Sequence, residues 1–488
     1  MENTGRTPET DTMVQERKVT DMLRRLSGAS RRAGGWRRAA GTAGCALAIL
    51  FLVVWTGCKN PLNVENPNKL TEENVNSPSA YGALVGGARN NLARAAGGML
   101  PIVENATDES FWIGSRDAWG ALDQGNIGAV TNEFTDRAWP YAGQARYMVD
   151  KAVILGEQYQ SDGTLPDKDL LARAYLYAGT MYTLLGDTWQ RFVLPQDLTD
   201  PTTPGSPIAV GDMPNAMYGQ AMTYFGKGLG LNPSSDIKTQ LLAMTARAMQ
   251  AKLIREHNQG GSPTANNGIV GTSDGSLAQA AQDALNAIGG DDGWTFALDF
   301  SNGLLGIGCQ SWAPQVWSRG ELQLGDRPLP NNSYVYLSNS SKTVDSVKLE
   351  DPIDNIIDPV FSAAYTQFKA AGENAPLVEM SARELHLIIA EDALFRNDTT
   401  TFAAQINYVR DLDGLTHWDP NAPQMTASKI LEWERNVNLV WQGRRLADLY
   451  RFGDVDPLWL SNSVAVTSPG TLFPITITEI RSNPNVSG

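Results

Sequence analysis

The chain has 488 residues and carries 39 Lys and Arg against 53 Asp and Glu, a formal net charge of −14. An acidic chain of this kind argues against a nucleic-acid-binding protein, which needs a basic face to meet phosphates. With 42% hydrophobic and 19% charged residues, the composition is that of a folded protein, which excludes disorder of the whole chain.

The charge is unevenly distributed along the chain. Residues 1–57 hold nine Lys or Arg and five Asp or Glu, whereas the rest holds 30 and 48. Inside this basic head, the uncharged apolar run from Ala43 to Trp55 is about 13 residues long, shorter than the roughly 20 that span a bilayer. We therefore predict a signal peptide over 1–57, starting at Met1, Met13 or Met22, with an uncleaved membrane anchor as the alternative.

A cysteine stands directly after the apolar run. Thr56-Gly57-Cys58 resembles a bacterial lipobox, in which the thiol of Cys58 is acylated. Lipid chains partition into membranes at about 0.8 kcal/mol per buried methylene, so several chains would anchor the protein firmly. The other cysteines are Cys45 in the leader and Cys309, so the mature body has no second thiol for an internal disulfide or for a multi-cysteine zinc site.

Helical periodicity dominates the body of the chain. In Lys168–Leu185, apolar residues recur at steps of three or four, the spacing of an amphipathic helix. Successive helices of this kind resemble tetratricopeptide helix pairs. Helices are predicted from Ser77 or Ser79 to Ala96 and over Asn132–Tyr159 (broken or kinked at Pro140), Lys168–Leu185, Met217–Leu229, Ile237–His257, Ser276–Ile288, Val360–Ala371, Met380–Arg396, Thr401–Leu412 and Ala427–Arg451.

A long segment between the two helical parts lacks this periodicity. It is rich in Trp, Tyr, Gly, Asn and Ser, with short strands predicted near Ser333–Leu337. Loops this long usually carry function. We predict a mainly α fold over residues 58–488, made of a lipidated tether (58–76), a helical-repeat part (77–288), an irregular, loop-rich insert (289–359) and C-terminal helices with a tail (360–488).

Three segments, in this order after the lipobox, together resemble the SusD/RagB family of bacterial outer-membrane lipoproteins. The resemblance extends over nearly all of residues 58–488. The segments are Leu62–Asn68 (LNVENPN) followed by Leu70-Thr71, then Arg383–Asp392 (RELHLIIAED), and then Glu434–Arg451 with Glu434-Arg435, Gln442-Gly443, Arg445 and Asp448-Leu449.

The resemblance implies a specific biology. Such proteins are lipid-anchored on the outer face of the outer membrane, bind oligosaccharides or other nutrients, and form a lid over a SusC-like TonB-dependent transporter. They are not enzymes and need no cofactor, and their fold is α-helical, with tetratricopeptide-like helix pairs and long irregular segments. Two alternatives remain open from the residues: an architectural helical-repeat lipoprotein that binds a protein partner, and a secreted glycoside hydrolase.

The candidates for ligand binding are aromatic residues in two non-helical segments. Flat rings suit the C–H groups of sugars, and Trp adds one hydrogen-bond donor. Each ring could instead fill the core. The candidates are Trp112, Arg116 and Trp119 in the first segment, and Trp312, Trp317, Tyr334 and Tyr336 in the second.

The charged residues of the helical signatures are predicted to be structural. Glu384 and Glu391 are seven residues apart, which places them about 10.5 Å apart along a helix. That exceeds the roughly 5–9.5 Å between the carboxylates of glycosidases, so they are not expected to form an acid–base pair. Arg445, Asp448 and Arg451 are predicted to pair at helical spacing.

The sequence offers no signal for catalysis or for a metal. His257, His386 and His417 are scattered and fit no spacing of metal ligands. No nucleotide-binding, serine-hydrolase or zinc-protease motif occurs. We therefore predict no catalytic residues, no cofactor and no metal site.

Overall fold

The computed structural model describes residues 76–195, 203–260, 265–300, 312–324, 349–456 and 458–487. The predicted signal peptide, Cys58 and the strands near 333–337 lie outside these ranges. The helices are α1 Tyr81–Glu104, α2 Asp117–Asp123, α3 Glu133–Ser161, α4 Lys168–Thr188, α5 Gln220–Gly230, α6 Ser235–Gln259, α7 Ser276–Ile288, α8 Trp312–Trp317, α9 Pro359–Ala371, α10 Ala382–Phe395, α11 Thr399–Asp411, α12 Ala427–Asn438, α13 Arg445–Phe452, α14 Val464–Thr467 and α15 Ile477–Ser482. The strands are β1 Ser110–Trp112, β2 Val193–Leu194, β3 Ser206–Pro207, β4 Thr295–Leu298, β5 Leu322–Leu324 and β6 Leu377–Ser381.

Successive helices pack against each other in pairs, and this confirms the predicted mainly α fold. In the first half, α1 packs on α3, α3 on α4, α4 on α5 and α5 on α6. The series then continues from α6 to α7, from α7 to α10 and from α10 to α11. Each helix therefore buries its apolar stripe against the next one, as expected for helices whose hydrophobic residues recur with the helical period.

Side-chain caps fix where several of these helices begin. The side chain of Asn132 accepts hydrogen bonds from the backbone N–H groups of Phe134 at 3.0 Å and Thr135 at 3.3 Å, at the start of α3. Asp358 caps α9 in the same way, directly before Pro359. Such caps satisfy N–H groups that have no partner inside the helix, and each contributes about 1 kcal/mol.

A break or a kink was predicted at Pro140, and the break is wrong. Helix α3 continues through Pro140 from Glu133 to Ser161. A proline within a helix removes one backbone hydrogen bond and crowds the preceding turn. In this case α3 packs against α1 on one side and α4 on the other, and we infer that this burial outweighs the lost hydrogen bond.

The single helix predicted for Ala427–Arg451 is also wrong, because the structure divides it into α12 and α13. Trp441 and Gly443, between the two, have φ angles of +58° and +77°, which a right-handed helix excludes. Two buried carboxylates hold the segment between α12 and α13 in this conformation. The hydrophobic periodicity of the sequence cannot reveal contacts of this kind. Glu109 accepts from the N–H of Trp441 at 2.8 Å, and Glu104 accepts from the N–H of Gly443 at 2.6 Å.

The apolar core is formed by two clusters of buried residues. The main cluster runs along α1, α3, α4, α5 and α6 and includes Trp139 and Trp189, whose rings meet edge to face with centroids 4.8 Å apart. A smaller cluster lies among α10, α11 and α12, where Phe402 meets Trp418. No helix in the described part of the chain combines the length and the apolar character needed to cross a bilayer.

Candidate functional site

The two segments that carry the predicted aromatic candidates are joined in the structure. Strand β1 pairs antiparallel with β5, so that Ser110 faces Leu324 and Trp112 faces Leu322. The pairing continues beyond the strands, since the N–H groups of Ile113 and Gly114 both donate to the carbonyl of Glu321. We call this region, Ser110–Trp119 together with Trp312–Leu324, the junction.

The carboxylate of Glu321 holds the turn that follows β1. It accepts from the backbone N–H groups of Ser115 at 2.9 Å and Arg116 at 3.0 Å, and from the hydroxyl of Ser115 at 2.9 Å. Burial alone would raise the pKa of Glu321, but these hydrogen bonds lower it below its usual value. Gly114 is required here because a Cβ at that position would lie 2.1 Å from the Glu321 carboxylate.

Trp112 and Trp317 are half-buried at the junction. The ring of Trp112 covers the backbone of α2 so closely that a Cβ on Gly120 would lie 2.7 Å from it. The ring of Trp317 packs against Phe368, with centroids 5.3 Å apart, and against Tyr365. Both indoles therefore have one side in the core, and only part of each ring is open to a ligand.

Trp119 lies inside the fold rather than on its surface. Only 2% of the residue is exposed, and its ring stacks on Phe134 with centroids 3.7 Å apart and an interplanar angle of 14°. Arg116 lies above the same Phe134 ring at 5.3 Å and pairs with both carboxylate oxygens of Glu133 at 3.0 Å. Trp119 can therefore form a wall of a site, but it offers no open ring face.

A pocket opens beside Trp119, between α1, α3 and α8. Phe134, Tyr141 and Trp119 supply its aromatic walls, and Pro101 and Ile102 supply aliphatic surface. Ligand pockets in proteins commonly combine such apolar walls with a few polar groups. We call it the junction pocket.

Two residues that line the junction pocket carry a buried polar atom without a hydrogen-bond partner among the described residues. The Nε1 of Trp119 and the Oε1 of Gln315 are buried and have no hydrogen-bond partner among the described residues. Gln315 is 5% exposed. Buried polar atoms are rarely left unsatisfied, so this donor and this acceptor lack the partners that such groups usually have.

Two arginines add positive charge at the rim. The guanidinium of Arg94 stacks over the Tyr141 ring at 4.1 Å, and Arg137 lines the pocket next to it. Hydrogen bonding from Arg94, and then from Arg137, lowers the pKa of the Tyr141 hydroxyl. The pocket therefore has cationic donors beside a half-buried ring, within a chain of formal charge −14.

The remaining predicted candidates lie elsewhere or outside the described residues. Trp312 is the first residue of α8, which ends at Trp317. Tyr334 and Tyr336 fall in 325–348, and Cys58 falls before residue 76, so all three lie outside the described residues.

The sequence-based prediction missed most of the residues that line the junction pocket. Phe134 and Tyr141 are seven residues apart, which places them on one face of α3, and this spacing was the available signal. Arg137 lies on the same face between them. Gln315 carries no local signal, because its role depends on the position of α8 against α1 and α3.

The charged signature residues are structural, as predicted, although one pairing differs. Glu384 pairs with Arg444 at 3.1 Å. Arg451 pairs with Asp448 at 2.7 Å, one helical turn away. Arg445 does not pair with Asp448, because its guanidinium reaches Asp108, in the loop after α1, at 2.7 Å.

Glu391 is also held in an ion pair, with Arg451, and all of its neighbours in this network are buried. Glu384 and Glu391 therefore each neutralise an arginine and are not arranged as an acid–base pair. Among the described residues, no group of three or more His, Cys, Asp or Glu side chains is placed to hold a metal ion.

The fold has clear relatives among solved structures, although sequence comparison finds none. No family model and no curated protein matches the chain. A SusD superfamily protein from Bacteroides fragilis matches at a TM-score of 0.55 and 12% identity, covering 84% of this chain and 99% of that one. A SusD homologue from Bacteroides thetaiotaomicron matches at 0.57 and 13%, covering 84% and 97%.

A third solved structure is a laminarin-binding SusD-like protein. It matches at a TM-score of 0.53 and 13% identity, covering 84% of this chain and 99% of its own. The matched proteins are thus covered almost from end to end, and the similarity concerns the whole fold rather than one helix pair. The chain therefore has the fold of the SusD superfamily.

Proposed function

We propose that the protein is a surface lipoprotein that binds an oligosaccharide in the junction pocket and delivers it to a SusC-like, TonB-dependent outer-membrane transporter. The observation that carries this proposal is the junction pocket itself, an aromatic cavity with unpaired polar atoms on a SusD-like fold. Another nutrient with the same mixture of apolar faces and hydroxyl groups would meet the same requirements.

The groups in the pocket match the chemistry of a sugar. A pyranose ring presents C–H groups that pack on aromatic surfaces such as Tyr141. Its hydroxyl groups both donate and accept, so one can donate to Gln315 Oε1 while another accepts from Trp119 Nε1. Arg137 at the rim can donate to a further hydroxyl or to the carboxylate of an acidic sugar.

We propose binding without turnover. Hydrolysis of a glycosidic bond ordinarily needs two carboxyl groups on either side of that bond. None of the described residues that line the junction pocket is Asp or Glu. The nearby carboxylates are engaged elsewhere, Glu133 with Arg116 and Glu321 with the turn at Ser115.

The first experiment is a binding screen of the purified protein against immobilised and soluble oligosaccharides. Because one protein with this fold binds laminarin, β-glucans belong in the panel, together with α-glucans and acidic glycans. We expect saturable binding of at least one class and no shortening of the bound chain, as judged by mass spectrometry. Binding of no glycan, or release of shorter products, would contradict the proposal.

The anchor and the partner need separate tests. Replacement of the lipobox cysteine, Cys58→Ala, should abolish labelling with a radioactive fatty acid and release the protein from the membrane fraction. A pull-down of the native protein from detergent-solubilised outer membranes should recover a TonB-dependent β-barrel in stoichiometric amount. Continued labelling of the variant would refute the lipobox, and recovery of another helical protein instead of a barrel would favour an architectural role.

A further inference from the structure

A second cavity includes Val103 of α1 in its wall. Helices α4, α6 and α10 and the link between α12 and α13 surround it. Its walls combine aliphatic residues such as Ile254 and Leu446 with buried charges. We call it the arginine chamber, after Arg247 and Arg255 of α6.

Arg247 faces the arginine chamber with most of its donors unused. The residue is 2% exposed, and its Nη2 donates to Asp187 at 2.6 Å. The other carboxylate oxygen of Asp187 accepts from the hydroxyl of Tyr218 at 2.8 Å. The Nε and Nη1 of Arg247 are buried and have no hydrogen-bond partner among the described residues.

Arg255, two turns further along α6, has no carboxylate within 4.0 Å among the described residues. It is 4% exposed, and the partners of its Nη2 and Nε are neutral oxygens. Nη2 donates to the oxygens of Trp189 and Gln190, and the side-chain oxygen of Gln259, in its hydrogen-bonded orientation, accepts from Nη2 at 3.1 Å and from Nε at 2.7 Å. Its Nη1 is buried and has no partner in the described part of the chain. Desolvation by burial lowers the pKa of Arg255, although Tyr218 and Asp187 act in the opposite direction.

The other charged residues that line the chamber compensate one another. Arg444 pairs with Glu384 at 3.1 Å, and Arg435 pairs with Asp448 at 2.9 Å. Glu379 lines the adjoining cavity, where burial raises its pKa and the charges of Arg247 and Arg444 oppose that rise. Arg255 differs from the other arginines of the chamber, because no carboxylate among the described residues lies within 4.0 Å of its guanidinium.

An uncompensated buried cation is costly, and so are buried N–H groups without acceptors. Three arginine nitrogens of this kind belong to residues that line one cavity, two from Arg247 and one from Arg255. Water could satisfy the hydrogen bonds but would leave the charge. A small anion with several oxygen atoms would satisfy both.

We propose that the arginine chamber binds a small oxyanion, held by the free N–H groups of Arg247 and Arg255. Carboxylate, sulfate and phosphate share the required chemistry, namely negative charge spread over acceptor oxygens. The site is distinct from the junction pocket, with which it shares no lining residue. The inference therefore stands independently of the proposed glycan binding.

The test is a calorimetric titration of the purified full chain with sodium acetate, sodium sulfate and sodium phosphate, each at the same total ionic strength as a sodium chloride control. We expect saturable binding of at least one oxyanion and none of chloride in the same range. Comparison of the three salts identifies whether the site prefers an organic carboxylate or an inorganic anion. Absence of saturable binding by all three would overturn the proposal.

The variant Arg255→Gln removes the cation that has no carboxylate within 4.0 Å, and we expect it to weaken oxyanion binding at least tenfold. Arg173→Gln is the matched control, because Arg173 is 39% accessible and outside the chamber, so the same change should leave affinity unaltered. Equal weakening by both variants, or none by Arg255→Gln, would show that the anion binds elsewhere.

A crystal structure of the unaltered protein grown with selenate gives a result that does not depend on how a variant folds. We expect an anomalous peak in the arginine chamber within hydrogen-bond distance of Arg247 or Arg255. Water alone in the chamber, at a selenate concentration that saturates the titration, would overturn the proposal.

Discussion

The carboxylate of Glu321 accepts a hydrogen bond from the backbone N–H of Ser115 at 2.9 Å, although the two residues are 206 positions apart. This contact joins the segment after β1 to the segment before β5 and so creates the junction. It brings the two segments that carry the aromatic candidates side by side. The junction is therefore the part of the fold on which the proposed binding depends, and its contacts can be tested one at a time.

Glu321→Ala removes the acceptor of three hydrogen bonds at the junction. We expect the free energy of unfolding to fall by about 1–3 kcal/mol, the range for hydrogen bonds to a charged group. Denaturant unfolding at pH 7 measures this, with Glu350→Ala, a change at an exposed carboxylate, as the control. A decrease no larger than that of the control would mean that Glu321 does not stabilise the turn.

The same residue predicts a pH dependence. Because the folded protein lowers the pKa of Glu321, its contribution is fully present above the unfolded-state pKa of about 4.3 and is lost as the pH falls through the lower, folded-state pKa. The stability difference between the wild type and Glu321→Ala should therefore shrink when the unfolding experiment is repeated at progressively lower pH. A difference that grows at acid pH would contradict this sign.

Gly120→Ala tests the contact between α2 and Trp112. A Cβ at this position would lie 2.7 Å from the indole ring, so Trp112 must move. We expect a loss of about 1–3 kcal/mol in the free energy of unfolding, as for other overpacked sites, together with a change in tryptophan fluorescence. Gly143→Ala is the matched control, because no atom lies within 4 Å of that Cβ.

The control substitution, Gly143→Ala, should have the opposite effect on the free energy of unfolding. Alanine is a better helix former than glycine, so Gly143→Ala in α3 should be neutral or stabilising by up to about 1 kcal/mol. If the two substitutions have the same effect on stability, Trp112 does not lie against α2 as described.

Arg410→Met should be one of the most destabilising changes in the C-terminal part. Arg410 is fully buried and donates to Asp351 at 2.9 and 3.0 Å and to Glu434 at 2.6 Å. Its removal leaves two buried carboxylates without their cation, which costs about 3–5 kcal/mol. We expect this loss in denaturant unfolding.

A surface ion pair provides the comparison for Arg410. Arg89 pairs with Asp299 at 2.8 Å, but 31% of the Arg89 side chain and 72% of the Asp299 side chain are accessible. Exposed pairs contribute at most about 1 kcal/mol, so Arg89→Met should change stability little. A loss from Arg410→Met as small as that from Arg89→Met would show that the buried network is not required.

His386 should make stability fall as the solution becomes mildly acidic. Burial lowers the pKa of His386, which contacts Gln405 through Nδ1 at 2.6 Å and stacks on Tyr408. The unfolded-state pKa of histidine is about 6.5. Below this pH, His386 in the unfolded chain binds a proton that it binds less readily in the folded chain, so the free energy of unfolding decreases. The variant His386→Gln should show a smaller decrease in unfolding free energy between pH 7 and pH 5 than the wild type. An equal or larger decrease would contradict this assignment.

The helices were predictable because their signal is local. The hydrophobic period in Lys168–Leu185 predicted a helix, and the structure shows one from Lys168 to Thr188. Such a period is readable from the sequence because apolar residues at steps of three or four form one face, which can be buried against any neighbouring helix. The division of Ala427–Arg451 was not predictable in this way. It depends on Glu104 and Glu109, which bind the intervening backbone from more than 300 residues away in sequence.

The junction pocket was only partly predictable for the same reason. The aromatic segments were identified from composition, but β1 and β5 have three residues each, too few to show a strand period. Their pairing, the burial of Trp119 against Phe134 and the position of Gln315 arise from tertiary contacts. Of the residues that line the pocket, Trp119 was among the predicted candidates, whereas the others were not.

The most direct test of the proposed function is the affinity of one oligosaccharide, taken from the binding screen, for the wild type and for Tyr141→Ala. Tyr141 is half-buried in the junction pocket, so the truncation removes its aromatic wall. Tyr408→Ala is the control, because Tyr408 is an exposed aromatic residue outside the pocket. By calorimetric titration, we expect Tyr141→Ala to raise the Kd at least tenfold, a loss of about 1.4 kcal/mol, and Tyr408→Ala to leave it unchanged. An unchanged Kd in a folded Tyr141→Ala variant would contradict binding in the junction pocket.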